Sequence, residues 1–297
     1  MKRKWDDPLY LVKSDNEWQA RLRARQSWYR QYYLGVDGAE FRGRERGNIL
    51  PPPPPDGLNF LTREIAEYVD LWKESEAQKG AVAENFRLRS NMLSSQPLCF
   101  NLFVPLAKDL KLAADVFCTL TNGRVTRVSE ILFEYSPGRS DPIYTGDKSA
   151  FDVYVRYLTN NDSEGFLGIE VKYHEDLSGK RIKENVRYQQ IAEEMGCFKP
   201  SCRDVLLKQP LVQIWRDHLL AGSHKIADNY DDAISILLYP SENEACVKAA
   251  ASYQACLLDS NGFAAWRIED VVALIREMRP SQWIESFAIR YLASETV

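Results

Sequence analysis

Residues 151–177 read FDVYVRYLTNNDSEGFLGIEVKYHEDL, and how they pair decides the fold. Phe151, Val153, Val155 and Tyr157 alternate with Asp152, Tyr154 and Arg156, the period-2 pattern of a half-buried strand. Leu167, Ile169, Val171 and Tyr173 alternate in the same way with Phe166, Gly168, Glu170 and Lys172. Between the two runs, TNNDSEG has the composition of a turn, so the stretch predicts an antiparallel hairpin. An even register puts Phe151, Val153 and Val155 on one face with Ile169, Val171 and Tyr173. A one-residue slip would set Asp152 and Arg156 beside Ile169 and Val171, so burial selects the even register. In that register Asp152 is expected opposite Lys172 and diagonal to Glu170, with all three on one side of the sheet.

Charges within strands need a partner, an ion or solvent. Two carboxylates, Asp152 and Glu170, beside the Val171 carbonyl make a hard-oxygen site suited to Mg2+ (or Mn2+) with waters retained. Lys172 shares the face and reaches toward a phosphate, an arrangement suited to phosphodiester hydrolysis. A cross-strand salt bridge between Asp152 and Lys172, with Glu170 at a solvated edge, is the other reading, and residue pattern alone leaves both open. The acid-x-Lys triplet is weak by itself: Asp109-Leu110-Lys111 is a second copy, without apolar strands around it.

Working outward, RVTRVSEILFEYS (124–136) predicts the first core strand, and its Glu134 is the candidate third acid. SPGRSDPIYTGDKS follows as a long loop; its GDKS ending lacks the glycine spacing and following helix of a phosphate loop. After the hairpin, GKRIKENVRYQQIAEEMGCF predicts a helix from about Gly179 to Met195. Lys180, Arg181, Lys183 and Arg187 make it the best phosphate-facing element, and His174 has the parity of the site's rim. QPLVQIWRDHLLAGS predicts a helix, AISILLYP a buried strand, ENEACVKAAASYQACLLDS a helix, and FAAWRIEDVVALIREM a short strand and helix. This alternation means α/β or α+β with a central mixed sheet flanked by helices.

The first fifty residues interleave arginines with Trp18, Trp28, Tyr32 and Tyr33, and NEWQARLRARQSWYRQYYLG predicts one helix ending at Gly35. Such a mixture suits nucleic-acid contact or, alternatively, packing of Trp18, Trp28 and Tyr32 with solvated arginines. Pro51 to Pro55 form a stiff spacer, dividing the chain into an N-terminal helical extension (1–55) and a main domain (56–297). Helical patterns run over Phe60–Lys79 and from about Gly80 to Phe103, the latter expected to break at Pro97.

Across its 297 residues the chain carries 38 basic and 42 acidic residues, so it is no general polyanion binder and any nucleic-acid surface must be local. Its six cysteines lack framework spacing and read as reduced thiols. With no apolar leader and no run of membrane-spanning length, a soluble, cytoplasmic protein without membrane contact is expected. Cys197, Cys202, His218 and His224 give C-x4-C-x15-H-x5-H, close to zinc-ligand spacing, as a competing metal reading.

SAFDVYV followed by GIEVKYHEDL resembles the PD-(D/E)xK nuclease superfamily, the restriction-endonuclease-like fold. LRSNMLSSQPLCFNLF, FEYSPGRSDPIYTGDKSAFDVYV, IEVKYHED, QIWRDHLLAGS and SILLYPSENEA are similar to a bacterial restriction-endonuclease-like family, over roughly Asn59 to Ile275. The resemblance implies an αβββαβ core and divalent-metal DNA cleavage, with Asp152, Glu170 and Lys172 at the active-site positions. One departure is that Ala150-Phe151 stands where a proline often precedes the first acid. It further implies that the helix after the hairpin sets Tyr188 or Gln189 over the site, and that the helix before the sheet brings Arg89 or Gln96 to phosphate. Double-stranded DNA is the implied substrate, with two active sites paired in a homodimer; the alternative is an inactive DNA- or partner-binding module on the same fold.

Overall fold

The computed structural model describes residues 11–51, 57–77, 85–177 and 185–292. They divide into two compact units. The first takes the chain up to Pro105, Tyr173–Glu175 and the segment from Ile275 onward; the second takes Leu106–Lys172 and Asp176–Leu274.

In the first unit, α1 (Glu17–Tyr29) begins at Asn16, whose side chain accepts the Gln19 N–H while Gln19 reaches back to the Asn16 N–H. It continues as a π-turn (Arg30–Leu34) and ends at Gly35, where φ is 66°, as the sequence predicts. Trp18 is buried and Trp28 half-buried, but Tyr32 is exposed. The arginines are not simply solvated: Arg30 is buried and donates to Gly47 O, and Arg25 donates to Ile289 O. A hairpin that the sequence reading did not anticipate, β1 (Ala39–Phe41) and β2 (Arg44–Arg46), follows. Next come α2 (Arg63–Ala77), a π-turn (Phe86–Ser90) and α3 (Ser95–Lys108). The expected break falls at Asn91–Ser94 rather than at Pro97, which occupies the first turn of α3, where a missing N–H costs nothing.

The second unit starts with α4 (Leu110–Leu120), capped by Asp109, whose carboxylate accepts the Leu112 N–H; the second acid-x-Lys triplet is thus a helix cap. A five-stranded sheet follows in the order β3 (Arg127–Tyr135), β4 (Phe151–Leu158), β5 (Glu164–Val171), β6 (Asp232–Tyr239) and β7 (Phe263–Arg267). β3, β4 and β5 are antiparallel neighbours, and β6 and β7 add in parallel. Helices α5 (Val186–Met195), α6 (Arg203–Leu206) and α7 (Leu211–Ala227) join β5 to β6. α8 (Glu244–Gln254) joins β6 to β7, and α9 (Ile268–Met278) leaves the sheet. This is the expected α/β fold with a central mixed sheet flanked by helices, consistent with a restriction-endonuclease-like core plus N-terminal helices. α10 (Gln282–Tyr291), unanticipated, belongs to the first unit.

The hairpin keeps the even parity but moves two residues from the expected register. Val153 pairs with Ile169 and Val155 with Leu167, so Asp152 stands across from Glu170 rather than from Lys172. Burial fixes parity because Val153, Val155, Ile169 and Val171 are all fully covered, each worth about 1.5–3 kcal/mol. It cannot choose between registers two residues apart, which bury the same side chains. The turn chooses: Asp162 adopts φ of 59°, and Thr159 N–H bonds Ser163 O, closing a shorter loop and starting β5 at Glu164. Gly168 is required for a different reason, since a Cβ there would lie 2.4 Å from the Phe151 ring.

The helix after the hairpin also starts later than expected. Asn185 is extended and its side chain accepts the Arg187 N–H, so α5 opens at Val186; Lys180, Arg181 and Lys183 lie outside the described residues. Within the second unit, Gly222 lets Met195 of α5 lie directly on α7, where a Cβ would meet the sulfur at 2.2 Å.

Candidate active site

The pairing of β3, β4 and β5 builds the site. Phe133 pairs with Val153 and Tyr135 with Phe151, which sets Glu134 across from Asp152. With Asp152 across from Glu170, three acids occupy one row over three adjacent strands. Glu134 has φ of 50°, a left-handed conformation that costs a non-glycine residue about 1–3 kcal/mol and recurs at functional positions. Lys172 follows the end of β5, where its N–H bonds Leu238 O.

Side-chain contacts then fix the acids. Asp152 Oδ2 accepts the Val171 N–H at 2.8 Å. Lys172 Nζ donates to Glu170 Oε1 at 2.7 Å, and Gln213 Nε2 from α7 donates to the same oxygen at 2.7 Å. Lys172 therefore pairs with Glu170, not with Asp152 across the strands. Lys172 and Glu170 side chains are only 11% and 16% exposed, which makes each charge costly without its partner.

Electrostatics around the row are strained. Burial pushes the Asp152 carboxyl well above the ordinary range, the charges of Glu170 and Glu134 add to the rise, and Lys172 and the Val171 N–H oppose it. Burial would lower Lys172, but Glu170 and Asp152 together raise it above its usual value, so it stays charged. One turn beyond Gln213, Asp217 is pushed up to about 8 by burial and then by the Glu170 charge, against Arg216 and Lys172. Arg216 Nε lies 3.6 Å from Asp217 Oδ1, and among the described residues neither that nitrogen nor the buried Asp217 Oδ2 has a hydrogen-bond partner.

A pH dependence follows from Asp217. Its carboxyl binds a proton more tightly folded than unfolded, so its contribution to stability is present at low pH and is lost as pH rises from about 4 to about 8. Metal-free protein is expected to lose a few kcal/mol across that window, and Asp217→Asn to flatten the decline. Urea unfolding at about pH 5 and about pH 8.5 checks this; an equal slope in the variant contradicts it.

The remaining sequence-predicted residues lie as follows. Tyr188 is buried and its hydroxyl donates to Asp147, whose carboxylate also accepts from Thr145 Oγ1 and the Ser149 N–H, both at 2.9 Å. The GDKS ending thus organises the loop before β4. Arg187 donates to Tyr144 O and Ile143 O and pairs with Glu194. Gln189 Oε1 accepts from Arg203 at 2.6 Å. Arg89 pairs with Asp70, Gln96 is buried at the start of α3, and both belong to the first unit, as does His174. The zinc reading finds no site: among the described residues, no group of three or more His, Cys, Asp or Glu side chains could hold a metal ion. His218 instead meets the Tyr253 hydroxyl, and His224 sits between Asp228 and Tyr154.

That same finding bounds the acidic row: among the described residues it is no closed three-carboxylate cage, and Asp152 and Glu170 are its members with fixed side-chain contacts. Two carboxylates are hard donors of the kind that fit Mg2+, which keeps several waters, and burial together with the Glu170 and Glu134 charges raises the Asp152 carboxyl despite Lys172. Gln213 and Asp217 escaped the sequence reading. Their i, i+4 spacing in QPLVQIWRDHLLAG, which puts them on one face of a helix, was the available signal.

A mixed sheet whose antiparallel strands carry a row of acids ending in an acid-x-Lys triplet defines a nuclease-like class of α/β protein. The sequence profile of the PD-(D/E)XK nuclease superfamily matches residues 13–293, and the chain belongs to that superfamily. No curated protein and no solved structure matches the chain.

Proposed function

We propose that the protein is a divalent-metal-dependent endonuclease that hydrolyses phosphodiester bonds of double-stranded DNA, in the manner of the bacterial restriction-endonuclease-like family, and serves restriction or phage defence in the cytoplasm. The observation that carries this reading is the row Glu134, Asp152, Glu170 with Lys172 bonded to its last member. Among the described residues no helix is long and apolar enough to cross a membrane.

In this reading Asp152, Glu170 and the Val171 carbonyl hold Mg2+ or Mn2+, which when bound supplies charge stabilisation to the phosphate. Lys172, kept charged by two carboxylates, cannot take a proton from water; it steadies Glu170 and offsets negative charge developing on the phosphate. Gln213 holds the same Glu170 oxygen as Lys172, and the second oxygen is assigned to the cation. Glu134 supports Lys172 or a second cation. Arg187, with Lys180, Arg181 and Lys183 before α5, is assigned to DNA phosphates; Gln189 is the helix's further candidate for the substrate, whereas buried Tyr188 acts through Asp147, and Arg89 and Gln96 are the first unit's candidates. Cutting both strands calls for two copies of the site, hence a homodimer.

Gln213→Leu tests the support of Glu170. Losing the amide is expected to reduce cleavage by about 10–100-fold with little change in stability; unaltered rates would remove Gln213 from the site.

The absence of a three-ligand cluster among the described residues favours a second reading, an inactive module that binds DNA or a protein partner. Plasmid, linear and single-stranded DNA incubated with wild-type and Lys172→Ala protein, with and without Mg2+, separates the two. The nuclease reading expects Mg2+-dependent products from the wild type alone. Salt-sensitive DNA binding without cleavage under either condition would establish the module instead.

A further inference from the structure

The first unit contains a cavity of about 300 Å3 whose wall carries more positive than negative charge. Arg23, Arg42, Arg46 and His174 face it, with Glu175 as the acid. Arg23 is already committed, with Nε 2.5 Å and Nη2 3.0 Å from the two oxygens of Asp15. Glu175 is also engaged: it accepts the Ser95 N–H and lies 3.5 Å from Arg87. Two guanidiniums remain without a carboxylate among the described residues. Arg46 donates only to Leu11 O, at 3.1 Å, and Arg42 lies over the Phe41 ring, 5.2 Å from its centroid.

The backbone is arranged to present them. β1 and β2 are joined through Arg42 and Gly43, with φ of 54° and 73°. Positive φ at both central positions is the tight hairpin turn that favours Asn-Gly; an arginine in the first of them is held against its preference. Below it, Phe41 stacks on Phe86 at 4.8 Å, and Val12, Ile49 and Leu93 give the cavity an apolar side.

We propose that this cavity binds the phosphomonoester of a nucleotide, either free or at the end of a nucleic-acid strand. A phosphomonoester carries nearly two negative charges near neutral pH, which matches the two uncommitted guanidiniums better than the single charge of an internal phosphodiester. Arg42 and Arg46 fork onto the phosphate oxygens, and the nucleoside rests on the apolar side. None of Asp152, Glu170 or Lys172 takes part, so the site stands or falls separately from the nuclease reading.

Isothermal titration of the full chain, with EDTA present, tests it with adenosine 5′-monophosphate and with a short single-stranded oligonucleotide bearing either a 5′-phosphate or a 5′-hydroxyl. Binding of the monophosphate or of the phosphorylated strand is expected, weakened roughly tenfold by each of Arg42→Ala and Arg46→Ala. Arg44→Ala, which removes the same charge from the same hairpin outside the cavity, is expected to leave it unchanged. Binding of the monophosphate identifies a free nucleotide as a ligand; binding of the phosphorylated strand alone identifies a strand end. Absence of binding by both ligands, equal affinity for phosphorylated and hydroxyl strands, or an equal loss in Arg44→Ala overturns the proposal.

Discussion

Asp152→Asn is expected to reduce Mg2+-dependent DNA cleavage by about a thousandfold or more, a transition-state loss of about 4 kcal/mol, while the folded state becomes no less stable. Both halves follow from one position in the sheet. Asp152 stands between Glu134 and Glu170 in the acid row, so its charge is the one most opposed by neighbours and most useful to a cation. Asparagine keeps the oxygen that accepts the Val171 N–H but removes the charge, which relieves burial and like-charge repulsion together. The raised carboxyl adds a pH signature: protons compete with the cation, so metal-dependent cleavage in the wild type is expected to fail as pH drops. A cleavage time course and a urea titration of the same preparation check both halves. Cleavage within tenfold of wild type would sink the assignment, and a large loss of stability would mean Asp152 is structural.

The largest stability loss is expected from Arg290→Ala, about 3–5 kcal/mol. Arg290 is fully buried in the first unit and has no carboxylate partner among the described residues. Its charge is held by Asn59 O at 2.9 Å, Asn59 Oδ1 at 2.5 Å and Gln26 Oε1 at 3.2 Å, between the rings of Tyr29 and Tyr291. Truncation leaves those acceptors buried and unmatched beside a cavity. Arg290→Lys restores the charge without the fork and is expected to recover only part of the loss. Denaturant unfolding followed by tryptophan fluorescence measures this; a loss under about 1 kcal/mol would show that the network adds little.

Where sequence pattern had a physical consequence, it was readable. The alternation over 151–177 specified two strands and their shared face, because a one-residue slip would bury Asp152 and Arg156. It left the choice between registers two residues apart to Asp162 and Thr159, whose local turn geometry has no periodicity to read. The acids and lysine were visible as an expensive cluster of charges, yet their partners were not. The pairing of Lys172 with Glu170, rather than Asp152, depends on the register and on Gln213 arriving from a helix about forty residues away in sequence. Asn185 was a legible cap that the long run of helix-forming residues before it obscured. The histidines with zinc-like spacing went elsewhere: His218 and His224 each have a ring nitrogen in contact with a tyrosine hydroxyl, Tyr253 and Tyr154 respectively.

The most direct measurement is anomalous diffraction from crystals soaked in Mn2+ at a concentration that supports cleavage. A manganese peak within coordination distance of both the Asp152 and Glu170 carboxylates, lost in Asp152→Asn crystals, is the expected result. Well-ordered carboxylates with no peak between them, or a peak elsewhere that persists in the variant, would contradict the account.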